Sequence, residues 1–215
     1  DLVRKHIQEN NPALIFLSCP NNPTGTLWPQ DDVEKIVQQA NGLVVIDEAY
    51  VPFTAHSLLA LAEQYSHVLI LRTVSKMGLA GLRLGWMLGA AQWLNELNKL
   101  RLPYNISALT QASAIFALNN ISVFNSQAEL ICQQREQLTS AMQNINSIQV
   151  FPSEANFVLF KTLKIDCSIV FERLIKNKIM IKNVADNDLL TNCLRVTVGT
   201  ENENQVFLAA LKSSL

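Results

Sequence analysis

Charge is scarce in this sequence and nearly cancels: Asp, Glu, Lys and Arg make up 16% of it, and the net charge is −1. A nucleic-acid or membrane-surface binder needs a basic excess, so neither class fits. Long apolar runs are also missing; none approaches the roughly 18 residues needed to cross a bilayer. The four cysteines, Cys19, Cys132, Cys167 and Cys193, form no CxxC pair and no ligand cluster. They read as reduced thiols of a cytoplasmic protein. His6, His56 and His67 are scattered, so no metal site is expected. There is no internal repeat and no low-complexity tract. Hydrophobic residues, at 49% of 215, are enough for a sizeable core in one or two domains, with some apolar surface left for an interface.

The apolar runs are short and regularly placed. Leu14–Ser18, Leu43–Ile46, His67–Leu71 and Leu84–Leu88 read as buried strands. Helices are expected over 1–10, from a cap at Asp31 or Asp32 to Ala40, and over 91–100. Strands alternating with helices indicate an α/β fold with a mostly parallel sheet. The stretch from Ser107 to Ile145 has no Gly and no Pro and reads as helical, joining a first domain to a second. Beyond it, Val150–Phe160, Ile179–Val184 and Cys193–Val198 read as strands, and Phe171–Asn177 and Glu203–Leu215 as helices. The second half is therefore a small α/β domain, and the expected division is 1–106 and 107–215.

Open α/β sheets bind ligands at the carboxyl ends of their strands. Three expected strands end in polar groups: Asn22 in the turn Asn21–Gly25, Asp47 with Tyr50, and Thr73, Ser75 and Lys76. These groups are expected to share one crevice. Lys76 follows a buried strand and precedes the glycine-rich segment Gly78–Gly85, a setting for a partly enclosed amine of the kind that does Schiff-base chemistry. Asp47 closes an apolar strand and is placed to pair with a cationic ring nitrogen. Arg83, among glycines, is suited to clamp a phosphate, with Thr73 and Ser75 adding hydroxyls. Taken singly, each has a plainer reading as a surface lysine, a turn carboxylate or a surface arginine. Trp28, Trp86 and Trp93 read as core or interface residues, and Asp31, Asp32, Glu201 and Glu203 as helix-start residues.

The segments SCPNNPTG, VVIDEAY and RTVSKMGLAGLRLGW, taken in order, resemble the fold-type I pyridoxal-phosphate aminotransferases, and within them the histidinol-phosphate aminotransferase family. RLPYNIS, EANFVLF and CLRVTVGT carry the resemblance through the second half. It implies a partial large domain over 1–106, then a linking helix and a small C-terminal domain over 107–215. It also implies pyridoxal 5'-phosphate, bound covalently by Lys76, which then moves the substrate proton. Asp47 would face the pyridine nitrogen, Asn22 and Tyr50 the phenolic oxygen, and Thr73, Ser75 and Arg83 the cofactor phosphate. Arg195 would grip the acidic group of each substrate, namely the phosphate of histidinol phosphate or the carboxylate of glutamate and 2-oxoglutarate. Lys182 stands where relatives often have an arginine, and Asn156 lies in the substrate-side motif. The family forms homodimers.

Family members extend further on the N-terminal side. This chain is accordingly expected to be a C-terminal portion with a half-built cofactor site and weak or no transamination by itself. Two alternatives stay open: a threonine-phosphate decarboxylase-like or aromatic aminotransferase-like enzyme, and a catalytically silent dimerisation or binding module.

Overall fold

The computed structural model describes residues 2–215. Asp1, the first residue of the expected opening helix, lies outside the described residues. The chain divides into two compact units, Asp1–Pro20 with Leu27–Asn125, and Asn21–Thr26 with Ser126–Leu215.

In the first unit, β1 (Leu14–Ser18), β2 (Leu43–Asp47), β3 (Val68–Thr73) and β4 (Gly85–Gly89) form one sheet in that order. The first three are parallel, with Leu17 opposite Ile46 and Ile46 opposite Ile70; β4 returns antiparallel, with Gly85 opposite Thr73. One face of the sheet is covered by α1 (Leu2–Asn10), α2 (Gln30–Gln39) and α3 (Leu59–Gln64), whose apolar residues cluster with Ile15, Leu17, Val44, Ile46, Val68 and Ile70. Helix α2 shows why it forms there. Val33, Ile36 and Val37 fall at i, i+3 and i+4 on one stripe and are at most 2% exposed. Each such burial contributes roughly 1.5–3 kcal/mol. The cap expected from Asp31 or Asp32 is not found: Pro29 holds the N-cap with no side-chain bond, and both carboxylates lie within the first turn. There they favour the helix through its positive end.

Helices α4 (Ala91–Lys99), α5 (Ala108–Asn119) and α6 (Ile121–Gln143) follow. The expected helical stretch is thus two helices, divided at Asn120. Ser107 caps α5 by accepting the Thr110 N–H, and the boundary between the units falls inside α6.

The second unit holds β5 (Ile148–Val150), β6 (Phe157–Thr162), β7 (Lys182–Asn183) and β8 (Cys193–Thr197), antiparallel in the order β5-β6-β8-β7. Two expected strands are shorter than the apolar pattern suggested. Val150–Phe160 breaks over 151–156, where Pro152 cannot donate to a ladder and the Ser153 hydroxyl turns back to the Phe157 carbonyl. Ile179–Val184 shrinks to Lys182 and Asn183, because the Ile179 N–H returns to Leu174 at 2.9 Å, closing the preceding helix. That helix is α7 (Cys167–Lys176), four residues earlier in onset than expected, and α8 (Glu201–Ser214) ends the chain. Helices α6, α7 and α8 supply Leu138, Met142, Leu174 and Leu211 to one core with Val158, Phe160, Leu194 and Val196 of the sheet. The other face carries a smaller cluster, Leu159, Val184 and Cys193, backed by Phe151 and Leu190.

Candidate functional site

In the first unit, the candidate residues lie at and just beyond the strand ends. Asp47 ends β2, half-buried, with its Oδ1 accepting the Ala49 N–H at 2.8 Å. Thr73 ends β3, and its Oγ1 lies 2.8 Å from both the Ser75 hydroxyl and the Leu84 carbonyl while accepting the Ser75 N–H at 3.0 Å. Lys76 follows in a short 3-10 turn that ends at Gly78, where φ is +89° and a side chain would be strained. The half-buried Lys76 ammonium sits 5.1 Å over the ring of buried Tyr50, an arrangement the ring quadrupole favours. Asp47 and Thr73 line one cavity of about 420 Å³ with Leu71, Gly85, Trp86 and Met87. Arg83 is exposed, adopts φ +51°, and donates within its own turn to the Ala80 carbonyl at 3.4 Å.

Behind the strand ends lies an ion pair that the sequence did not reveal. Glu48 is 1% exposed. Its carboxylate receives Nη2 and Nε of Arg72 at 2.7 and 2.9 Å, the Leu58 N–H at 2.6 Å and the Ser57 hydroxyl at 3.0 Å. Glu48 and Arg72 immediately neighbour Asp47 and Thr73, so the pair ties together the ends of β2 and β3. The Cys19 thiol nearby is pushed up chiefly by burial, against a backbone hydrogen bond from Trp28; burial likewise raises the other three thiols. Arg135 beside Cys132 and Lys161 beside Cys193 act the other way, but burial outweighs them, so none of the four is set up as a thiolate nucleophile.

The second unit carries the remaining predicted residues. Asn22 belongs to it, in a turn closed by Gly25 N–H to the Asn21 carbonyl and Asn21 N–H to the Thr26 carbonyl, at 2.7 and 2.8 Å. Gly25, with φ +76°, packs so closely on Ser153 that a Cβ would collide with it. The Glu154 N–H reaches the Gly25 carbonyl at 2.7 Å. Arg135 of α6, 7% exposed, donates to the Ala155 carbonyl at 3.0 Å and faces Glu154 at 3.5 Å. Asn156 follows, half-buried, its carbonyl accepting the Val198 N–H at 2.9 Å. Arg195 on β8 donates through Nη1 to the Asn22 side-chain oxygen, and its Cζ lies 4.7 Å from the centre of the Phe157 ring. Lys182 on β7 is register partner to Arg195. Two cations directly opposed are unfavourable in isolation and suit an anion between them. The sequence singled out Arg195 and Lys182 but not Phe157, whose meaning depends on a strand pairing 38 residues away.

A family model described as aminotransferase class I and II matches residues 1–211. The chain belongs to the class I and II aminotransferases. Among relatives in that family, histidinol-phosphate aminotransferase 2 of Nitrosococcus oceani is 48% identical over 208 residues, covering 96% of this chain and 58% of that protein. The chain thus spans under two thirds of the length of the curated aminotransferases it matches. Of solved aminotransferase structures, histidinol-phosphate aminotransferase from Clostridium acetobutylicum superimposes with a TM-score of 0.90 at 24% identity, over 98% of this chain and 66% of that one. The Sinorhizobium meliloti histidinol-phosphate aminotransferase, in complex with pyridoxal-5'-phosphate, gives 0.85 at 26% identity, over 99% and 60%. The α/β architecture with its mostly parallel first sheet is that of these aminotransferases.

Proposed function

We propose that this chain carries cofactor- and substrate-binding residues of a pyridoxal-phosphate-dependent aminotransferase exchanging the amino group between histidinol phosphate and 2-oxoglutarate. The observation that carries the reading is the Lys76 ammonium held over Tyr50 at the end of β3, on the same sheet as Asp47, in a chain 48% identical to a histidinol-phosphate aminotransferase. The side chains of the first unit fit the cofactor's needs: an amine, a carboxylate lining the same cavity as Thr73, hydroxyls and a guanidinium. Pyridoxal phosphate, when bound, supplies an electron sink for the charge left on a substrate carbon that loses its proton.

Lys76 is then the covalent anchor and the base that takes and returns that proton. Asp47 presents its carboxylate to the pyridine nitrogen. Tyr50 and Asn22 donate to the phenolic oxygen, and Thr73, Ser75 and Arg83 hold the phosphate. Arg195, supported by Lys182 and Asn156, takes the acidic group of the substrate. As a point charge, Lys182 favours the dianionic phosphate without fixing its orientation, whereas Arg195 offers the planar fork. Homodimer formation and a cytoplasmic setting complete the proposal. The exposed apolar side chains Leu100, Leu102, Leu109 and Phe116 are consistent with an interface.

The test is cofactor binding by wild-type and Lys76→Ala protein. Adding pyridoxal phosphate to the wild type should produce an absorbance band near the visible edge; borohydride should abolish that band and leave a reduced, mass-shifted adduct on Lys76. An equal adduct in Lys76→Ala would refute the assignment. Turnover of histidinol phosphate against threonine phosphate by the same protein then decides the substrate.

A further inference from the structure

Arg195 is restrained in two directions and keeps an unused donor in a third. Its Cζ lies over the Phe157 ring, 4.7 Å from the centroid, and its Nη1 is committed to Asn22. Its Nε is buried and has no hydrogen-bond partner among the described residues. A buried N–H without an acceptor is unfavourable, and the cost disappears when an acceptor arrives. Nε and Nη2 together form the edge of the guanidinium that meets a carboxylate or phosphate through two parallel bonds.

The position of Phe157 follows from the register. Leu159 is opposite Arg195 and Phe157 opposite Thr197, so Phe157 is the diagonal neighbour of Arg195 on the same face of the sheet, within reach of a long side chain. Phe157 is 2% exposed, and its carbonyl is held by the Ser153 hydroxyl. The ring is therefore a fixed plane. It offers its face to the cation and has no polar atom that competes for the N–H groups at the edge.

We propose that Phe157 is a positioning residue for Arg195: the ring sets the plane of the guanidinium so that its Nε–Nη2 edge is presented, ready-made, to the acidic group of the substrate. The proposal rests on the reading of Arg195 as the grip for that group. An aliphatic side chain of similar size would fill the space and leave the guanidinium free to tilt.

The test replaces Phe157 in the 215-residue chain with mono-, di- and trifluorinated phenylalanine. Fluorination drains the ring quadrupole and scarcely alters its shape, so a role confined to packing is unaffected. Inorganic phosphate is titrated at fixed salt, following the Arg195 Nε–H resonance and the dissociation constant. Binding should weaken stepwise along the series, about three- to tenfold in total, with a shrinking Nε–H shift, and Phe157→Leu should weaken it at least as much. If phosphate moves the resonance in wild type and binds equally across the series, the positioning role is overturned while the reading of Arg195 stands. If phosphate leaves the wild-type resonance unmoved, that reading fails and the proposal with it.

Discussion

Replacing Arg72 with Met should destabilise the protein by about 3 kcal/mol, because it removes the cation from a buried carboxylate. Breaking such a pair from one side typically costs about 3–5 kcal/mol. Three features place this case at the lower end. Glu48 keeps the Leu58 N–H and the Ser57 hydroxyl. The Arg72 side chain is 23% exposed against 1% for Glu48, so part of the pair already faces water. Met also preserves most of the packing of the arginine stem. Glu48→Gln should cost less, about 1–2 kcal/mol, since the stranded guanidinium can reach solvent. The double variant should then cost less than the sum by at least about 1 kcal/mol, because it leaves neither charge buried alone. Urea denaturation at fixed pH and low salt, with the slope checked for constancy, measures all three. For a chain of this size, 3 kcal/mol corresponds to a fall in Tm of about 6–12 °C. An Arg72→Met cost under 1 kcal/mol, or strict additivity, would refute the view that this pair ties β2 to β3.

Three further outcomes follow from the second unit. Thr200→Ala removes the cap of α8, where the Thr200 side chain accepts from Glu203 N–H and the Glu203 carboxylate returns to the Thr200 N–H at 2.8 Å; a loss of about 1 kcal/mol is expected by thermal denaturation. The Thr200 N–H and the Thr200 hydroxyl, both donating to the Glu203 carboxylate at 2.8 Å, hold its carboxyl below the ordinary range. Its contribution is therefore present above the unfolded-state value and disappears as pH falls through the lower folded value, so wild type and Glu203→Gln should converge in acid. Gly25→Ala should cost more than 1 kcal/mol, from the left-handed backbone and the collision with Ser153, and the phosphate affinity of Arg195 should fall as Asn22 shifts; an unchanged affinity would show that Asn22 does not hold the guanidinium.

The first sheet was legible because its strands are uninterrupted apolar runs: Val44, Val45 and Ile46 of β2 and Val68, Leu69 and Ile70 of β3 are at most 3% exposed, and a strand buried on both faces leaves no alternation to misread; β1, expected to be buried, instead leaves Leu14 and Phe16 exposed on one face. The helical run after Ser107 was legible for the converse reason, since nothing in it breaks a helix. The second sheet was harder. Val150 and Phe160 look like parts of one strand until Pro152 and Ser153 are placed in three dimensions. Helix α3 gave no signal, being six residues long. The motif residues were visible through the resemblance, but their neighbours were not. Glu48 reads as one more carboxylate until Arg72 is found against it, and Phe157 reads as core until Arg195 is found across its face. Pairings between strands far apart in sequence are written in no local pattern.

The turn Asn21–Thr26 lies in the chain between β1 and α2, yet it packs as part of the second unit. The consequence concerns assembly and dissection. A ribosome releases this turn a hundred residues before the rest of its unit exists, so the turn must wait, unpartnered, while Ser153 and Glu154 are made. Closing so long a loop carries an entropic cost that grows only with the logarithm of its length, but the closure is slow. The loop from Phe151 to Asn156 should accordingly be among the last parts of the molecule to gain amide protection during refolding. A gene cut within α6 would leave the second unit without its docked turn, and so without the side chain that accepts the Arg195 hydrogen bond.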